Sequence, residues 1–149
     1  MKIKSLIFAR ALLLFCAFTA TVTAVAHMSC IVLGEQCYRA QLAPNIIIDS
    51  AIQGPYFAPL ATLFISSLFL LFALYALSAA KLIPHIPLTR FAVFTIGSLC
   101  IVRGGATLPL LLLQPALASI FAVIAGMLWF LCGLFYIWGY RLVISEGKS

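Results

Sequence analysis

Charge is what this chain is short of. Its 149 residues include three acids, Glu35, Asp49 and Glu146, and nine lysines and arginines. A charged fraction of 8% is a third of the ~25% usual in soluble domains, so a soluble globular fold is excluded. The acids all fall outside the apolar runs, which leaves no intramembrane carboxylate of the kind that energised ion transporters use. His27 and His85 have no histidine, cysteine or carboxylate at ligand spacing, so no metal site is assigned. No Ser/His/Asp set and no phosphate-binding glycine loop occurs, so no catalytic residue and no cofactor is assigned. The basic residues lie singly at the ends of apolar runs rather than in a patch, which excludes nucleic acid as a partner.

What is present is hydrocarbon. The chain is 65% hydrophobic with a mean hydropathy of +1.22, and four apolar runs fill most of it. They cover about residues 6–26, 57–80, 88–110 and 116–140. Each is near the ~20 residues that carry a helix across ~30 Å of hydrocarbon. Unbroken segments such as Leu68-Phe69-Leu70-Leu71-Phe72 do not alternate, which excludes a β-barrel. The expected fold is an all-α integral membrane protein: one membrane domain over 1–149, an antiparallel bundle of four transmembrane helices with a short outer interfacial helix.

Orientation follows from the cations. Lys2, Lys4 and Arg10 lie before and in the first turns of the first run, Lys81, His85 and Arg90 between the second run and the start of the third, and Arg141 and Lys148 follow the fourth. With four crossings all three groups share one face, the cytoplasmic one, giving a multi-pass protein of a bacterial inner membrane with both termini inside. Tyr136, Trp138 and Tyr140 next to Arg141 read as an aromatic anchor at that face. The first run also fits a signal peptide ending at Ala24-Val25-Ala26, or a lipoprotein signal at Met28-Ser29-Cys30. Its full length suits a retained helix better, and His27 stands where a lipoprotein signal has an aliphatic residue.

The outer loop, residues 27–56, contains the short helix. Pro44 starts it, Gly54-Pro55 stops it, and three isoleucines among Asn45, Asp49 and Gln53 suit an interfacial position. Pro84 and Pro87 around His85 predict a stiff, non-helical turn on the other face, and Gln114-Pro115 a minimal outer turn. Cys30 and Cys37 also lie in the outer loop. A disulfide and two free thiols both fit; on one continuous helix the pair would be ~10 Å apart, so bonding needs a turn, which Gly34 permits. Cys16, Cys100 and Cys132 sit inside apolar runs and read as packing residues.

Arg103 is the singular residue, a guanidinium within the third run that stays protonated at any ordinary pH. Thirteen residues past Arg90, it falls ~20 Å up the helix, in the outer half of the bilayer. Three readings stand: pairing with Glu35 or Asp49, the outer acids; snorkelling to the interface; or binding an anionic ligand. Gly104, Gly105 and Pro109 predict a loosened or bent helix beyond it. In the fourth run Ala118, Ala122 and Gly126 recur every four residues and Gly133 follows, a small-residue stripe for close packing on the third helix or on a second copy of the chain.

The turn from Lys81 through Pro84-His85-Ile86-Pro87 to Arg90, with Ile101-Val102-Arg103-Gly104 further on, is similar to small uncharacterised bacterial inner-membrane proteins of four helices. The resemblance covers helices two to four and implies topology; no activity comes with it. Architecture alone also loosely resembles quinone-coupled disulfide-generating oxidases, but Cys30 and Cys37 are spaced too widely for C-x-x-C, and Gln114-Pro115 has no second cysteine pair. The expected function is binding of a membrane lipid, a membrane protein partner or another copy, without covalent chemistry. The alternative is a thiol/quinone redox or other small-ligand enzyme using the outer cysteines.

Overall fold

Proline and glycine decide where the helices stop. The computed structural model describes residues 2–54, 56–113 and 119–147, and among these every regular element is an α-helix. They are α1 (Lys2–Leu33), α2 (Glu35–Ala40), α3 (Asn45–Gln53), α4 (Phe57–Ala79), α5 (Thr89–Gly105), α6 (Thr107–Leu113) and α7 (Ile120–Gly147). Helix α1 outruns the expected first span by seven residues and ends against Gly34, whose φ of 70° and ψ of −154° belong to a region only glycine occupies comfortably. Pro44 and Gly54 bracket α3 as the sequence predicts.

Three helices are long and apolar enough to cross a membrane: Ile3–Leu33, Phe57–Ala79 and Ile120–Glu146. The expected third span is not among them, because it divides at Ala106 into α5 and α6. Pro109 explains the division: it has no N–H to offer the Gly105 carbonyl, and its ring crowds that carbonyl. The proline is instead tolerated in the first turn of α6. Helix α7 begins four residues later than the expected fourth run and continues seven residues past it. Ser119 Oγ accepts the Ala122 N–H at 3.1 Å and so satisfies one of the unpaired donors of its first turn. Pro55, Gln114-Pro115, Ala116, Ala118 and Lys148 lie outside the described residues.

The chain divides into two compact units. The first, Met1–Ala17 with Leu74–Ser149, is organised around α7. Helix α5 runs antiparallel to α7 with Gly97 facing Gly133 and Gly104 facing Gly126. The opposite side of α7 meets the first half of α1, also antiparallel. There Gly139 lies against Ala9 and Leu13, Cys16 Sγ is 3.4 Å from the Cys132 carbonyl, and Phe8 and Phe15 pack edge-on against Trp138 and Phe135. Tyr136, Val93 and Val143 fill the core, and Cys16, Cys100 and Cys132 are buried and outside any disulfide, as packing residues should be.

The turn between α4 and α5 is non-helical, as its prolines predict, and its backbone is tightly held. Lys81 N–H bonds to the Ser78 carbonyl and Leu82 N–H to the Leu77 carbonyl, both at 3.1 Å, which closes α4 in a Schellman motif. Lys81 therefore stands with φ 58° at a position glycine normally takes. Replacing it should relieve that strain: Lys81→Gly is expected to stabilise the protein by ~0.5–1 kcal/mol, read as a raised Tm in detergent.

The second unit, Phe18–Ala73, has a small core of Cys30, Tyr38, Ile48 and Ala58, with Cys37, Ala43, Ile47 and Ala51 packed around it. Ser50 of α3 accepts the Ala58 N–H at 3.1 Å and so satisfies a free donor in the first turn of α4.

Candidate functional site

In the second unit the segment after α1 folds back on itself. Gly34 reverses the chain, bringing the Cys30 and Cys37 Cα atoms to 5.1 Å, and the two sulfurs are bonded. Of the readings the sequence leaves open, the structure has the disulfide. Gln41 lies across it: its amide Nε2 donates to the Ala26 carbonyl at 2.7 Å and stands 3.0 Å from Cys30 Sγ and 3.5 Å from Cys37 Sγ. Helix α2 closes in a second Schellman motif, with Leu42 N–H bonded to Arg39 O and Ala43 N–H to Tyr38 O, both 3.0 Å. This geometry packs Ala43 against the small core, while Leu42 stays exposed.

The stapled corner encloses a cavity of about 270 Å³, lined by His27 and Cys30 of α1, Tyr38, Gln41 and Ala43, Ile47 of α3, and Ala61, Thr62 and Ile65 of α4. Its volume lies just under the ~300–1,000 Å³ of typical small-molecule sites, and its walls are mostly apolar. The polar lining groups differ in what they can offer. Thr62 Oγ1 donates to the Ala58 carbonyl at 2.8 Å and therefore receives the Tyr38 hydroxyl at 2.9 Å, so both protons are committed. His27 stacks edge-on against Phe69, and the Thr23 carbonyl one turn earlier interacts with its ring. Its Nδ1 is buried and lacks a hydrogen bond of normal geometry. His27 and the carbonyl oxygen of Gln41 are thus the groups left to meet a ligand. Among the described residues no cation and no acid lines the cavity, so its chemistry suits a neutral molecule with one hydrogen-bonding group on an apolar body.

The structure gives Glu35 a partner other than Arg103: its carboxylate accepts from Arg39 Nε at 2.6 Å, one turn along α2. Asp49 is exposed on α3. Arg103 is exposed on α5 and donates from Nη1 to Thr107 Oγ1 at 3.3 Å, while Thr107 Oγ1 bonds back to the Arg103 carbonyl at 3.2 Å. The single acid described in its own unit is Glu146, in the last turns of α7, toward the opposite end of the helix pair. Because Thr107 keeps its backbone partner without the guanidinium, Arg103→Leu should cost no more than ~1 kcal/mol in a detergent melt. A loss of ~3–5 kcal/mol would instead reveal a buried ion pair.

Of the expected small-residue stripe, Gly126 abuts Thr107 at the start of α6, and Gly133 abuts the Gly97 carbonyl and Ile101 of α5. Ala122 is half-buried near the start of α7. Sequence reasoning missed the complementary stripe of Gly97 and Gly104, whose seven-residue spacing matches that of Gly126 and Gly133 and was the available signal. Among the described residues no group of three His, Cys, Asp or Glu converges on a metal position.

No known protein family, curated protein or solved structure matches this chain.

Proposed function

We propose that the chain is a multi-pass protein of a bacterial cytoplasmic membrane that binds a neutral amphipathic lipid in its disulfide-stapled cavity and performs no covalent chemistry. In this reading α1, α4, the α5–α6 pair and α7 make four crossings, with both termini inside and the stapled corner outside. The observation that carries the function is the cavity's lining: apolar walls, two polar side chains already paired with protein, and His27 and the Gln41 side-chain oxygen left over. A prenyl or acyl chain fits such walls, with a hydroxyl or ether of the headgroup meeting His27. The positive-inside distribution of Lys4, Arg10, Lys81, Arg90 and Arg141 supports the orientation.

Two measurements test it. Reporter fusions at residues 30, 85 and 149 should read outside, inside and inside. Purified protein should carry a stoichiometric neutral lipid by native mass spectrometry, and Ala61→Phe, which fills the cavity, should release it with Tm held or raised. Retention of the same lipid by the filled variant would sink this site.

A second reading has one observation in its favour: Cys30 of the disulfide is itself part of the cavity wall. A quinone bound there would accept two electrons and two protons from the Cys30/Cys37 dithiol, yielding quinol and the disulfide, and a partner dithiol would reduce the bridge again. The complete burial of Cys30 and the position of Gln41 over both sulfurs favour a structural staple instead.

A further inference from the structure

A second cavity, of about 240 Å³, opens in the first unit where α4 leads into α5 and the end of α7 passes by. Its lining includes Ser78, Lys81, His85, Thr89 and Tyr140. Two of these hydroxyls are spent on holding the turn. Ile86 N–H donates to Ser78 Oγ at 3.0 Å, Ser78 Oγ lies 3.1 Å from Thr89 Oγ1, and Thr89 Oγ1 donates to the Ile86 carbonyl at 2.6 Å. With Thr89's proton on the carbonyl, Ser78 must donate to Thr89, and the ring of bonds closes on itself. Tyr75 adds an outer tie, its hydroxyl 3.4 Å from the Pro87 carbonyl.

The ring leaves three donors for a guest: the Lys81 ammonium, the His85 ring and the Tyr140 hydroxyl. Tyr140 is steadied by an edge contact with Phe94, over which Arg141 also lies. Among the described residues no acid lines the cavity, and Lys81 and His85 have no ion pair. A second observation marks Lys81 in particular. It occupies the left-handed C-terminal position of a Schellman motif, where glycine would be unstrained, so a lysine there costs stability that its backbone role does not return. Strained residues of this kind collect at sites of function.

We propose that this cavity is a binding site for a phosphate group, held by Lys81, His85 and Tyr140 on a turn pre-formed by the Ser78–Thr89–Ile86 ring. The site is separate from the stapled cavity and does not rest on the function proposed for it. A phosphate brings two negative charges and several acceptor oxygens, which match these donors and their charge, with no acid among the described lining residues.

The test uses the full chain in two arms. One adds inorganic phosphate to detergent-solubilised protein; the other reconstitutes it in phosphatidylcholine vesicles with and without phosphatidic acid, which carries the same group on a lipid. A rise in Tm in the first arm identifies a free phosphate as the source, and a rise in the second alone identifies a lipid headgroup; either supports the site. Lys81→Gly, which should be at least as stable as wild type, should weaken the response about tenfold or more, and Tyr140→Phe less. No shift in either arm, or a response of Lys81→Gly equal to wild type, would overturn the proposal.

Discussion

Gly104→Ala and Gly133→Ala should each destabilise the protein by ~2–3 kcal/mol, because a methyl at either site strikes backbone rather than a movable side chain. At Gly104 the new carbon would lie 2.5 Å from the Gly126 carbonyl oxygen and 2.6 Å from Phe130 N; at Gly133, 2.6 Å from the Gly97 oxygen and 2.8 Å from Ile101 N. Helices α5 and α7 would have to part along their length, losing the close backbone approach that drives association in lipid. Gly105 supplies the control. A carbon there meets nothing nearer than the Phe130 ring at 4.0 Å, so Gly105→Ala should be neutral or gain up to ~1 kcal/mol of helix propensity. Reversible unfolding in mixed micelles measures all three. Equal losses at positions 104 and 105 would show that helix distortion, not inter-helix contact, governs the effect.

The other large effect concerns the staple. Breaking the Cys30–Cys37 bridge frees a short loop, worth ~2–3 kcal/mol by loop-closure entropy. Cys30→Ser, Cys37→Ser and the double variant should therefore lose similar amounts, since each removes the same bond. Reductant should lower the Tm of wild type and leave the three variants unmoved. Thiol trapping in growing cells adds the mechanistic arm. A bridge found oxidised throughout, with the serine variants merely less abundant, removes the quinone reading; a mixed population that responds to the quinone pool removes the simple staple.

Some of this was legible residue by residue. Pro44 and Gly54 bounded α3 because one presets a helical φ and the other ends a helix cheaply, both local effects. Gly34 as the turn that brings the cysteines together followed from the length of a helical rise. The misses arose where the deciding term is not local. Helix α1 continues to Leu33 through Ser29, whose hydroxyl bonds the Ala26 carbonyl at 2.7 Å; hydropathy falls there, but backbone bonding does not. Gly104 reads locally as a weak point of a helix, while its role lies in the backbone of α7, twenty-two residues on. Arg103 left pairing, snorkelling and ligand binding open; its side chain bonds to a threonine one turn away, and Glu35 pairs within its own helix. Neither cavity was foreseeable, since each is assembled by turns whose left-handed residues, Leu42 and Lys81, carry no glycine signature.

The division of the third run at Ala106 has a consequence for how the chain would enter a membrane. Helix α5 has 17 residues, among them Arg103 and three glycines, and so falls short of what a segment needs to partition into lipid by itself. Helix α7 is long and apolar enough to do so. In a four-crossing protein α5 is then a dependent passenger, retained in the bilayer by the partner it meets through Gly97 and Gly104 only after α7 has been synthesised. Biogenesis would proceed with α5 waiting at the insertion machinery or the interface, and the pair settling as a hairpin. In that topology those two glycines would govern whether the third segment integrates at all, before any question of folded stability arises.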